Sequence, residues 1–363
     1  MNDRAVGLLE QYDIEVLRTR KGRGAILCDT PAGCLIFREY GGNEERLEIQ
    51  NQLLQHIRRV GLVEAETLVP TREGALFVKD GDGVSYILKT YFESRECNIY
   101  DKGECLEAVR LLARLHSSME LDEDAVWAQP QVSVDREYEK RNRELKRVRK
   151  YLQQKSQRTA FEFDLLGCFD LFLEQALTVA EEWKNYELCD GGPKGYFGAD
   201  EDSDAAGRAC FYLSGTMPAK EHSYCHGDYQ YHNILRKGDG WFVINFEKCI
   251  PDRPIRDLYL LMRKLLEKSG WSVALGRELL GAYEEKKTLS ALDRIDLYYR
   301  LYYPEKFWKI VNFYYNNGKA WIPERNREKL EKLKEQEPAK QDFLEEVFRR
   351  KGVKEHVGKK IHI

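Results

Sequence analysis

Between Ile14 and Tyr40 three short apolar runs are separated by turn-forming residues, and helical spacing begins only after them; this order constrains the fold more than any other feature of the chain. The runs cover 14–18, 25–29 and 34–40, divided first by Gly22 and Gly24 and then by Pro31 and Gly33. Such punctuation predicts an antiparallel meander. Leu47, Leu53, Leu54 and Ile57 then recur at helical spacing as far as Gly61, a residue suited to ending a helix. Two further strand-like runs follow, at about 75–78 and 84–91. Strands gathered at one end of a chain and helices at the other indicate an α+β protein.

Beyond residue 97 the pattern is helical, with Leu106, Val109, Leu112, Ala113 and His116 forming one apolar face. Two long helical stretches lie between 135 and 185 and read as a helical hairpin insertion. The charged run Arg143-Glu-Leu-Lys-Arg-Val-Arg-Lys in the first is expected to be a solvated face rather than a binding patch. Residues 190–207, rich in Gly and Asp, carry too little apolar surface to fold alone and predict a mobile loop. Near the C-terminus Pro338 is expected to interrupt a charged segment, with a last helix over 341–350.

A length of 363 residues is large for one hydrophobic core. The expected division is an N-terminal lobe over 1–93 and a mainly helical lobe over 94–363. The 58 basic and 61 acidic side chains nearly cancel, which offers no field to draw nucleic acid or an anionic membrane. No segment approaches the roughly 20 apolar residues of a membrane span. Nine cysteines without a Cys-x-x-Cys pair point to free thiols in a reducing compartment, and hence to synthesis in the cytoplasm.

The chemistry-bearing stretch is His226-Gly-Asp228-Tyr-Gln-Tyr-His-Asn233, followed by a turn at Lys237-Gly-Asp-Gly240 and an apolar strand over 241–246. Its spacing His-x-Asp-x-x-x-x-Asn resembles the kinase catalytic loop, in which the Asp accepts the proton of the attacking hydroxyl and the Asn holds magnesium. Phosphoryl transfer asks the protein to align the nucleophile with the γ-phosphate and to offset charge on the phosphate oxygens. A kinase of this type would place its metal-binding Asp at Asn245, within Ile244-Asn-Phe-Glu247. Asp257, opening a helix after Pro254-Ile-Arg, is placed to brace the loop. His226 and Asp257 can also simply satisfy buried backbone groups, a role compatible with catalysis.

With Leu112-Ala-Arg-Leu-His116 and Asp257, the loop makes the chain similar to the aminoglycoside phosphotransferase and choline kinase superfamily. The stretch from Tyr91 to Cys97, together with Tyr303-Pro-Glu-Lys-Phe-Trp308, Phe313-Tyr-Tyr315, Trp321 and Pro323-Glu324, resembles more closely the CotS-like spore-coat protein family. The resemblance implies a protein-kinase-like bilobal fold, ATP and Mg2+ as cofactors, other spore-coat proteins as partners, and deposition in the spore coat. It makes Asp228, His226 and Asp257 the catalytic set, with Arg38, Glu48, Tyr91 and Glu93 on the nucleotide and Asn233, Asn245 and Glu247 on the metal. Three departures follow. Arg38 stands where the family has a strand lysine, and a guanidinium is not an equivalent point charge. The acidic partner on the following helix is open between Glu48 and the better-registered Gln50. Asn245 offers a hard cation a neutral amide, and Glu247 is the alternative ligand. Losing one charge-assisted contact to the transition state would cost on the order of a hundredfold in rate. The expected function is therefore a spore-coat protein with a weakened phosphotransferase site, and the alternative an active small-molecule kinase with Asp228 as base.

Overall fold

The turn glycines set the register of the sheet. Strand β1 (Arg18–Gly22) pairs antiparallel with β2 (Ala25–Thr30), Gly22 opposite Ala25, because Gly24 closes the turn at φ 68°, a left-handed conformation that side chains disfavour. The run 14–18 places this strand too early in the chain. Ile14 and Val16 instead pack against the core ahead of the strand, and Leu17 is exposed. Strand β3 (Gly33–Glu39) follows, then the helix Glu44–Val60 and the short strands β4 (Glu64–Ala65), β5 (Leu68–Val69), β6 (Val78–Lys79) and β7 (Ser85–Thr90). The sheet order is β1-β2-β3-β7-β5, with β6 also on β7. Asn43 caps the helix by accepting from the Arg46 N–H, and Gly61 ends it at φ 72°.

These coordinates come from a computed structural model describing residues 3–22, 24–121, 134–188, 223–316 and 324–348. The run 190–207, read as a loop, and Trp321 and Pro323 lie outside the described residues. The chain divides into two compact units. One is drawn from Met1–Ala128, His222–Leu261 and Ala282–Lys287, the other from Gln129–Glu221, Met262–Gly281 and Thr288–Ile363.

In the first unit the strand period of two sorts the sheet into two faces. Phe37, Tyr86 and Leu88 turn one way, into a core with Tyr12, Ile26 and Val78. Paired Arg38 and Ile87, and paired Ile36 and Lys89, turn the other way. The same unit holds β8 (Arg95–Glu96), the helix Lys102–Ser118, and β9 (Tyr224–Cys225), β10 (Ile234–Lys237), β11 (Gly240–Val243) and β12 (Ile250–Pro251). The hairpin between β10 and β11 turns at Gly238, φ 58°. The strand expected over 241–246 stops at Val243, and Phe246–Lys248 form a 3-10 turn.

Glu104, near the start of the helix Lys102–Ser118, ties three segments together. Its carboxylate accepts from both Nη atoms of Arg95, from Arg236 and from the Asn98 N–H. The Arg95 hydrogen bonds, working against burial, bring its pKa down to about 2 from the ordinary 4.5. A carboxyl depressed on folding stabilises above its unfolded pKa and loses that contribution as pH falls through the folded value. Glu104→Gln is accordingly less stable than the parent above about pH 4.5, and the gap closes toward about pH 2. Urea denaturation across this range measures it, and a gap that persists at the acid end would refute the assignment.

The second unit is helical. Helices Val134–Gln154 and Ala160–Leu188 pack with Ala291–Tyr302, Glu305–Asn316 and Glu324–Phe348. Leu145, Val148 and Leu152 are buried while Arg143 is exposed, which makes the charged run of this helix a solvated face. Of the C-terminal aromatics, Tyr303 and Phe307 are core, whereas Phe313 is exposed. Phe307 stacks on Phe172 at 4.6 Å, and Tyr303 stacks on Tyr138 at 4.2 Å while its hydroxyl donates to Asn142. Pro338 does not end the helix it occupies. Leu330, Leu333, Phe343, Leu344 and Phe348 are buried on both sides of it, and that burial outweighs one missing backbone bond. Among the described residues no helix is long and apolar enough to cross a membrane.

Candidate active site

The His-Gly-Asp stretch is held from below by buried groups. Asp257, fully buried in the first turn of the helix Ile255–Lys268, accepts from the N–H of His226 at 2.6 Å and of Gly227 at 2.9 Å. The His116 Nε2 lies 3.4 Å from its Oδ2, and the Tyr283 hydroxyl is hydrogen-bonded to His116 Nδ1 at 2.8 Å. Burial alone would raise the Asp257 carboxyl, but His116, His226 and the Gly227 N–H outweigh it and keep the group ionised. His226 spends both ring nitrogens on backbone: Nε2 donates to the Ile244 carbonyl at 2.9 Å and Nδ1 accepts from the Asp228 N–H at 3.2 Å. Both residues fill the buried-backbone role anticipated from the sequence.

Gly227, at φ 78°, passes against the segment after β11. A Cβ here would lie 2.1 Å from the Lys248 carbonyl oxygen. The glycine therefore allows the loop and the 3-10 turn to meet, and brings Asp228 beside Lys248.

Asp228, the expected base, accepts from Lys248 Nζ at 2.8 Å and from Gln230 Nε2 at 2.5 Å. Burial pushes its carboxyl up, and the Lys248 and Gln230 hydrogen bonds more than offset this, holding it below the usual carboxylate range. The Asn233 Nδ2 donates to the Asp228 carbonyl at 2.8 Å, which turns its Oδ1 toward Asn245. Asn245 Nδ2 donates to that oxygen at 2.8 Å. The two expected metal ligands are thus bonded to each other. Asn245 sits at φ 66°, in the left-handed region that asparagine tolerates.

The other face of Asn245 meets cations. Lys89 Nζ lies 3.1 Å from Asn245 Oδ1, 2.9 Å from Glu247 Oε1 and 2.8 Å from Glu66 Oε2. The last is a charge contact without hydrogen-bond alignment. Glu66 also accepts the Phe246 N–H through Oε1 at 3.1 Å. Arg38 Nη1 lies 3.5 Å from Asn245 Oδ1 and 3.7 Å from Glu247 Oε1. Burial would lower the Lys89 ammonium, but Glu66 and Glu247 hold it above its ordinary range. Glu247 is correspondingly kept below its own, burial being offset by Lys89 and Arg38. Every polar orientation here is fixed by a neighbour of unambiguous role, ammonium on one side and backbone carbonyl on the other.

Asn233, Asn245, Glu247, Arg38, Asp228 and His226 are therefore gathered in one network. Glu48 is exposed, with no ion pair among the described residues; the carboxylates on the buried Lys89 amine are Glu66 and Glu247. Gln50 is buried, and its side-chain amide has no hydrogen-bond partner among the described residues. Tyr91 donates its N–H to the Cys34 carbonyl, and the exposed Glu93 pairs with Arg20 at 2.7 Å. Sequence reasoning missed Lys89, Glu66 and Lys248. Lys89 had a signal, being a charge inside the apolar run Tyr86-Ile-Leu-Lys89 on the strand face shared with Ile87.

A divalent cation does not fit this donor set as it stands. Asn245 Oδ1 and Glu247 Oε1 already face the Lys89 ammonium, and Asn233 Oδ1 accepts from an amide. Among the described residues, the acidic and thiol groups spaced to share a metal are Asp29, Cys34 and Glu93, and the Arg20 guanidinium already contacts all three.

Residues 215–347 match the profile of the family described as "Spore coat putative kinase YutH". The resemblance to spore-coat kinase-like proteins holds over that stretch. No curated protein matches the sequence. Among solved structures, an aminoglycoside phosphotransferase from Alicyclobacillus acidocaldarius subsp. acidocaldarius DSM 446 superposes with a TM-score of 0.74 at 18% identity, over 93% of this chain and 93% of that one. The spectinomycin phosphotransferase APH(9)-Ia, in complex with ADP and spectinomycin, gives 0.58 at 13% identity, over 92% and 94%. The amicoumacin kinase hAmiN, in complex with AMP-PNP, Ca2+ and Ami, gives 0.57 at 9% identity, over 95% and 94%. At these identities the likeness shows the fold: the α+β fold of the kinase-like phosphotransferases.

Proposed function

We propose that this chain is a spore-coat-associated protein of kinase-like fold that binds a nucleotide and has lost efficient phosphoryl transfer. The observation that carries the reading is the bond between Asn233 and Asn245, with Lys89 on the far side of Asn245. It engages the oxygens that would otherwise hold a cation against the phosphates. Nucleotide binding is supported by the Arg38 guanidinium, whose side chain is 39% exposed on the sheet face shared with Lys89, and by the fold, which in other proteins takes ADP or AMP-PNP. A guanidinium suits phosphate because its fork of donors matches the oxygens.

One observation favours the alternative, an active small-molecule kinase: Asp228 remains ionised and is bonded through its backbone to Asn233. A thermal-shift titration with ADP and ATP, joined to an assay of ATP turnover, separates the readings. Nucleotide is expected to raise the unfolding midpoint, Arg38→Ala to remove the rise, and turnover to stay at background. Turnover abolished by Asp228→Ala would establish the enzyme instead, and no shift with either nucleotide would defeat the binding reading.

A further inference from the structure

We propose that the Lys89 ammonium is a built-in substitute for a divalent cation, so that nucleotide phosphates are bound in this site without a metal; the nucleotide half of this rests on the function proposed above. Lys89 contacts Glu66, Glu247 and Asn245 from a side chain only 3% exposed. A magnesium ion needs oxygen ligands at about 2.0–2.1 Å in near-octahedral array, and cannot share Asn245 Oδ1 and Glu247 Oε1 with an ammonium already set against both. The charge count points the same way. Arg38 and Lys89 face Glu66 and Glu247, two cations against two carboxylates. The set is neutral, so a dication would enter without a charge to meet it.

Asn245 completes the device. A carboxylate in its place would set an anionic oxygen against Asn233 Oδ1, a repulsion that a bound cation would relieve. The amide instead turns an N–H to Asn233 and its oxygen to Lys89, so the site is satisfied from the protein alone. Arg38 contacts the network through Nη1 alone, leaving the rest of its donor fork for phosphate. Lys89 is thus a specificity residue: it sets the site to accept a nucleotide stripped of its metal.

Two measurements on the full chain test this. In the first, Mn2+ alone is titrated and its free signal followed by electron paramagnetic resonance. The parent is expected to leave Mn2+ free, and the triple variant Lys89→Met/Glu66→Gln/Asn245→Asp, which opens the position and takes the set from neutral to one net negative charge, is expected to bind one equivalent. Mn2+ bound by the parent as tightly as by the triple variant overturns the proposal. In the second, ADP affinity is measured by calorimetry with magnesium and with a chelator. The two values should agree, and a loss of about tenfold or more on chelation overturns metal-free binding. Absence of ADP binding in both conditions defeats the nucleotide half, while the Mn2+ titration still decides the role of Lys89.

Discussion

Lys89→Met lowers the stability of the sheet-bearing unit by about 3–5 kcal/mol, the cost of stripping the partner from a buried charge. The charge left behind is Glu66, whose side chain is 1% exposed and whose other neighbour is the Phe246 N–H. Glu247 suffers less, being 24% exposed and still beside Arg38. The double variant Lys89→Met/Glu66→Gln should therefore recover most of the loss, because a neutral amide replaces the stranded carboxylate and can still accept from Phe246. Urea denaturation, with hydrogen exchange read on β3 and β7, measures both. Equal losses in the single and double variants would show that the methylene stem of Lys89, and not its charge, is what the sheet needs.

Gly227→Ala is expected to be the most damaging glycine-to-alanine change among the described residues. The left-handed backbone alone costs an alanine about 1 kcal/mol. The new Cβ would also sit 2.1 Å from the Lys248 carbonyl oxygen and 2.9 Å from its carbonyl carbon, and backbone cannot move aside as a side-chain tip can. A total loss above about 3 kcal/mol follows, together with separation of Asp228 from Lys248. Gly238→Ala is the control. It carries a similar φ of 58° but would meet nothing within 4 Å, so only the conformational term of about 1 kcal/mol applies. Similar unfolding midpoints for the two variants would mean that the loop and the 3-10 turn do not pack as described.

The legible part of the fold was the part written in local chemistry. Turn glycines, a capping Asn43 and a terminating Gly61 mark strands and helix because each acts on its own neighbours. The first strand was misplaced because apolarity at 14–18 reports packing, whereas pairing starts where the Gly24 turn permits. Pro338 misled in the same manner: its local penalty is real, but burial on both sides of it, invisible to a window of neighbours, is larger.

At the site, the sequence by itself determined which residues could do chemistry, since the spacing from His226 to Asn233 and the aspartate at 257 are fixed along one stretch of chain. It also determined that Asn245 is an amide, the change that matters most. Only the tertiary structure decided what that amide faces. Lys89 and Glu247 are separated by 158 positions, and Glu66 and Phe246 by 180, so no periodicity or motif connects them. Charge pairing acts through space: a lysine within an apolar strand signals a buried partner, and only the folded chain says that the partners are Glu66 and Glu247.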